Sequence, residues 1–118
     1  MNETQYIAKR LRPFLRECGF AVVHKSSERF SSGWPDLTCV HAPDGETVYV
    51  EAKGGINNNL TPLQRKILID LAKAGAKCFT FRWNILRNKS EIWNINEIGI
   101  DNYWPQLYFE KVYGKEDR

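Results

Sequence analysis

At 118 residues the chain has room for one domain, large enough to bury a single core without disulfides or a structural metal. Hydrophobic residues make up 42% and charged residues 26%, and no apolar run reaches membrane-spanning length, which argues against an integral membrane protein. The formal charge of +3 is unevenly spread: seven basic and seven acidic residues up to Asn59, seven basic against Asp70 alone from Leu60 to Ser90, and three basic against six acidic beyond that. A basic middle third suits either a solvated surface or attraction of a phosphate backbone. Met1 to Arg16 is polar and basic rather than signal-like, which predicts an intracellular, cytoplasmic protein, acting in the host cell if it is virus- or phage-encoded. Cys18, Cys39 and Cys78 are odd in number and embedded in apolar patterns, so buried thiols are expected rather than disulfides or a zinc site.

The first predicted element is a helix from Glu3 to Cys18, with Ile7, Leu11, Phe14, Leu15 and Cys18 at helical spacing. Asn2 with Gln5 can cap it and Gly19 can end it, while Pro13 requires a kink or a division into two segments. Lys9, Arg10, Arg12 and Arg16 fall largely off the apolar stripe and read as surface. Phe20 to Lys25 reads as a strand, and Ser26 to Trp34 as a loop that either binds phosphate or merely connects. Trp34 is expected in the core, and His24 and His41 are expected to be structural.

Leu37 to His41 and Thr47 to Ala52 flank Pro43-Asp44-Gly45, the pattern of a β-hairpin. A two-residue Asp44-Gly45 loop would set Pro43 opposite Glu46, Thr38 opposite Glu51 and Asp36 opposite Lys53. Alternation along the strands then gathers Asp36, Glu51 and Lys53 on one face and leaves Leu37, Cys39, Val48, Val50 and Ala52 for the core. Two carboxylates, joined by the backbone carbonyl of Ala52, are hard oxygen ligands for Mg²⁺ or Mn²⁺, and a neighbouring ammonium can orient water or offset charge on phosphorus. That combination suits phosphodiester hydrolysis.

Thr61-Pro62-Leu63-Gln64 is a helix start with a capping box, and the helix should run to about Ala74 and stop at Gly75. Gln64 falls on the apolar stripe at the end nearest Lys53, so it serves either as the cap partner or as a member of the site. Lys77 to Trp83 reads as a strand beside the hairpin's second strand, completing a right-handed βαβ unit. Asn84 to Ser90 reads as a basic loop and Glu91 to Ile95 as an edge strand. Beyond Asn96 the pattern weakens into an aromatic tail that packs on the core or on a second subunit.

The run Gly33-Trp34-Pro35-Asp36, then Val50-Glu51-Ala52-Lys53-Gly54, then Leu60-Thr61-Pro62-Leu63-Gln64 and a helix ending in Ala74-Gly75-Ala76-Lys77 resembles the VRR-NUC (virus-type replication-repair nuclease) family of the PD-(D/E)XK nucleases. The likeness extends from the first helix to about Arg82 and makes residues 1–118 a single VRR-NUC-like nuclease domain. It implies an α/β, restriction-endonuclease-like fold, a mixed central sheet flanked by helices, and Mg²⁺- or Mn²⁺-dependent cutting of branched DNA such as a four-way junction. By position it implies Asp36 and Glu51 as metal ligands, Lys53 as the catalytic lysine, Gln64 as the helix glutamine, and a first-helix acid that is either Glu3 or Glu17. Arg29, Arg65, Lys66, Arg82 and Arg87 are the cations expected to meet DNA. Small stand-alone members are homodimers, so a homodimer is expected. Two other readings remain: a module of the same fold that binds nucleic acid without cutting it, and an interaction protein whose charges form surface ion pairs.

Overall fold

The computed structural model describes residues 2–26, 33–54, 59–98 and 101–114. Arg29 and most of the Ser/Gly loop before Trp34 lie outside the described residues. Six strands, β1 (Phe20–Lys25), β2 (Leu37–His41), β3 (Thr47–Lys53), β4 (Lys77–Asn84), β5 (Lys89–Ile95) and β6 (Asp101–Trp104), form one sheet in chain order. Only β3 and β4 are parallel among these neighbours, because the helix α3 (Pro62–Lys73) carries the chain back between them. The sheet is therefore mixed, and helices cover both of its faces.

On one face sits the first helical run, built as α1 (Glu3–Tyr6), a π-helical segment (Ile7–Leu11) and α2 (Arg12–Glu17). Pro13 has no N–H to return to the Lys9 carbonyl, and the chain widens to a π turn just before it, with the Arg12 N–H reaching Ile7. The run thus continues past the proline instead of splitting. Asn2 and Gln5 form the expected capping box. Tyr6, Ile7, Leu11 and Leu15 from this run join Leu37, Cys39, Val48, Val50, Ala52, Phe79, Phe81 and Ile92 in the main core. The three cysteines are free and buried, as their settings predicted.

The weakly patterned C-terminal stretch contributes both a strand and a helix. β6 pairs with β5, so Glu91–Ile95 is an interior strand and not the expected edge. The helix α4 (Gln106–Val112) then folds over the main core, where Phe109 meets Phe79 and Phe81 edge-on with centroids 5.2 Å away. His41 anchors this end: Nε2 lies 2.9 Å from the Cys18 carbonyl and 2.8 Å from that of Tyr113, and Nδ1 lies 3.1 Å from Asp44. His41 is structural, whereas His24 is exposed on β1.

The opposite face carries α3. Leu68 and Ala72 pack on Cys78 and Ile95, a smaller core with Tyr49 and Leu71 at its margin. Trp34 does not enter either core. It is 39% exposed and meets Tyr49 edge-on, because the chain enters the hairpin along the outside of this face.

The β2–β3 register differs from the expected one by two residues. Thr38 pairs with Tyr49 and Cys39 with Val48, and the Gly45 N–H donates to the His41 carbonyl at 2.7 Å. Ala42, Pro43, Asp44 and Gly45 form the loop, so Pro43 lies in the turn and not opposite Glu46. Asp-Gly alone would favour a tight two-residue loop, but Pro43 lacks the N–H that a strand position there would use. A shift of two preserves the alternation, and every side chain keeps its expected face.

Candidate functional site

Leu37 opposite Val50 places Asp36, one residue before β2, level with Glu51. The two carboxylates are tied through the backbone. The Asp36 N–H donates to Glu51 Oε1 at 3.2 Å, and the Ala52 N–H donates to Asp36 Oδ2 at 2.8 Å. In a strand the N–H and C=O of one residue point to the same neighbour, so the Ala52 carbonyl also faces the Asp36 side. Gly33 sets the approach. Its φ is +76°, and a Cβ there would come within 2.6 Å of Leu63, so only glycine lets the hairpin's entrance lie against the first turn of α3.

Glu3 completes the cluster. Carboxylate oxygens of Glu3, Asp36 and Glu51 all lie within 4.8 Å of one another. Of the two first-helix acids, Glu17 sits at the far end of the run and is not in this group. A glycine again makes the contact possible, because a Cβ on Gly54 would fall 2.6 Å from the Glu3 nitrogen and 2.8 Å from its Cα. The end of β3 and the start of α1 therefore touch backbone to backbone. Gly54 reads in sequence only as part of a Gly/Asn turn, and nothing there signals what packs on it.

Lys53 is 5% exposed, with Nζ 3.6 Å from Glu51 Oε2. It donates to Gln64 Oε1 at 2.8 Å, and that same oxygen accepts the Thr61 N–H at 2.9 Å while Thr61 Oγ1 takes the Gln64 N–H. Gln64 is thus at once the cap partner of Thr61 and the acceptor for Lys53. The carboxyl of Glu51, 1% exposed, is pushed up to about 9, chiefly by burial and next by the charge and hydrogen bond of Asp36, with Lys53 only partly offsetting both.

Fully ionised, three carboxylates and one ammonium leave two negative charges in excess, which a divalent cation balances. The donors are hard oxygens, the type Mg²⁺ and Mn²⁺ take, so the residues present fit such an ion.

Beside Lys53 a cleft of about 270 Å³ opens between α3 and the sheet, lined by Lys53, Arg65, Thr80, Arg82, Trp93 and Asp101 among others. Thr80 lies level with Glu51 on β4, and its buried hydroxyl has no hydrogen-bond partner among the described residues. Arg65 pairs with Asp101 at 2.9 Å, and Arg82 pairs with Glu91 at 3.1 Å while lying over the Trp93 ring. Arg65 and Arg82 thus share the cleft with Lys53. Lys66 does not; it pairs with Asp70 on the outer surface of α3, and Arg87 stands at the tip of the β4–β5 turn. Thr80 and Trp93 were not singled out in the sequence, although the parallel pairing of Lys53 with Arg82 would have pointed to them. No protein-family model matches the chain, and no curated protein matches it either.

Proposed function

We propose that the protein is a metal-dependent endonuclease that hydrolyses phosphodiester bonds in branched DNA. The carrying observation is the convergence of Glu3, Asp36 and Glu51 beside a buried Lys53 that Gln64 holds in place. Surface ion pairs would not need a buried lysine at a carboxylate cluster, and a purely binding module would not need the cluster. The sequence resemblance to VRR-NUC nucleases supports the same reading and, with the mixed sheet flanked by helices, a restriction-endonuclease-like fold.

A bound Mg²⁺ or Mn²⁺ would supply Lewis-acid polarisation of the scissile phosphate and a supply of hydroxide near neutral pH. The remaining work belongs to the chain. Glu3, Asp36, Glu51 and the Ala52 carbonyl would hold the cation at the end of β3. Lys53 places its ammonium where it can orient the attacking water or offset charge growing on the phosphate oxygens. Gln64 fixes the Lys53 rotamer through one hydrogen bond, and Arg65 and Arg82 bias the adjoining cleft toward a phosphate backbone. Preference for branched over linear DNA, and a homodimer that presents two such sites, rest on the resemblance.

The test is incubation with Mg²⁺ or Mn²⁺ and end-labelled linear, flapped and four-way-junction DNA. Cutting of the branched substrates is expected, with a loss of roughly 10²-fold or more in Lys53→Ala. Tight binding with no cutting of any substrate under either metal would favour the non-cleaving module instead.

A further inference from the structure

β4 and β5 extend past the catalytic end of the sheet. Lys53, the last residue of β3, pairs with Arg82, and β4 then continues to Asn84 before the chain turns through Ile85–Asn88. At ~3.3 Å per strand residue the tip stands on the order of 10 Å beyond the level of Lys53. Ile85 is 53% exposed and Leu86 82%, the most exposed large apolar side chain among the described residues. From Asn84 to Ser90 there is no acid, and Arg87 and Lys89 follow the apolar pair within three residues.

The tip is built to be stiff. Asn84 Oδ1 accepts the N–H groups of both Leu86 and Arg87 at 3.1 Å, and Asn84 Nδ2 donates to Glu91 Oε2 at 3.2 Å. The other oxygen of Glu91 takes the Arg82 guanidinium, which lies 5.0 Å over Trp93. Asn88 adopts φ +53°, a left-handed turn position that asparagine accepts readily. On the opposite side of the sheet, the hydroxyl of Tyr6 lies 2.8 Å from Ser90 Oγ, and Arg10 lies 5.5 Å over Trp83. The hairpin is therefore fixed to the site-bearing sheet and to the helix that delivers Glu3.

Resting on the nuclease reading above, we infer that this hairpin is a branch-point wedge: Leu86 and Ile85 insert where duplex stacking is already broken, and Arg87 and Lys89, next along the turn, hold the adjoining phosphates. Apolar side chains inserted between base steps are how proteins part them, and an existing discontinuity lowers the cost of unstacking. A branch seated on the tip sets the scissile phosphate roughly three nucleotides away, from the ~3.4 Å spacing along one strand. The wedge thereby gives preference for branched DNA a location, separate from the metal ligands.

The test uses the full chain carrying Lys53→Ala, with EDTA present so that cutting is suppressed, and a four-way junction and a linear duplex that each carry 2-aminopurine at the corresponding nucleotide. Fluorescence of the junction should rise severalfold on binding and that of the duplex should not. Adding Ile85→Ser and Leu86→Ser should abolish the rise and bring junction affinity down to that for the duplex. Both positions are exposed, so thermal unfolding should be unchanged, and Leu86→Ala alone should give an intermediate signal. An undiminished rise in the doubly substituted tip, no rise with the tip intact, or absence of DNA binding would overturn the wedge. So would conversion of a dimer to a monomer on substituting the tip, since that would assign Leu86 to self-association. Cleavage by the unsubstituted chain is scored separately: unstacking without cutting sinks the nuclease reading and leaves the wedge, and cutting without unstacking does the reverse.

Discussion

Glu51 is the residue at which burial and charge oppose each other most sharply. Its folded-state carboxyl is raised to about 9 from an ordinary 4.5, so between those values the native chain holds a proton that the unfolded chain has released. The sign follows: this contribution is fully present below about pH 4.5 and is lost as pH rises toward 9, by on the order of a few kcal/mol. The thermal midpoint of the metal-free protein should fall across that window. A divalent cation competes with the proton, so the gain in midpoint on adding Mn²⁺ should grow with pH. Glu51→Gln should flatten the metal-free slope, raise the midpoint near pH 8 by several degrees, and remove the response to Mn²⁺. A metal response in Glu51→Gln equal to that of the parent would show that Glu51 is not a ligand. Gln64 offers a second measurement at this scale. Gln64→Ala loses the cap partner, about 1 kcal/mol, and also the Lys53 acceptor, so turnover should drop by more than the modest fall in midpoint explains. Gln64→Glu keeps an acceptor in both roles and should recover both.

Elements deliver these residues, and they do so through close backbone approaches. Gly54→Ala would drive a Cβ into the backbone of Glu3, where no flexible side chain can yield. The expected result is a loss of about 1–3 kcal/mol by denaturant unfolding, together with a weaker metal-induced shift because the start of α1 is pushed off the cluster. A variant as stable and as metal-responsive as the parent would mean that α1 is not seated there. This contact also marks where sequence reading stops. Period-two alternation specified which faces Asp36, Glu51 and Lys53 occupy, and capping chemistry placed Gln64 at the start of α3; both are local and survive in one dimension. The loop length was not legible, because Asp44-Gly45 favours one turn and Pro43 another. The choice between Glu3 and Glu17 was not legible either. It depends on packing between residues far apart in sequence, and only Gly54 opens that space. β6 and α4 escaped notice because four- and seven-residue elements are too short to display a period, and their order comes from Phe109 and Tyr113 filling the core.

At the scale of the whole molecule, the C-terminal elements both close the core and leave apolar surface outside it. Phe109 and Tyr113 are buried and Trp104 packs against them, so much of the aromatic tail finds cover within its own chain. Yet Leu107 is 78% exposed, and Tyr103, Tyr108 and Val112 are each about half exposed, all on β6 or α4. β6 pairs on one side with β5, and among the described residues no strand pairs on its other side, so its edge offers unpaired backbone groups next to that apolar surface. A twofold pairing of this region would cover both features at once and, on the proposed function, would present two of the carboxylate clusters to the two equivalent strands of a four-way junction. The predicted outcome is a dimer mass in sedimentation or light scattering over a tenfold concentration range. Leu107→Glu with Val112→Glu, both at exposed positions, should give a monomer with an unchanged core. In that monomer, single nicks in a junction should persist while paired cuts fall away. A monomer mass for the unsubstituted chain throughout the range, together with efficient paired cutting, would refute the dimer. β6 and α4 would then serve only to close the sheet, and each cut would be made by a separate visit.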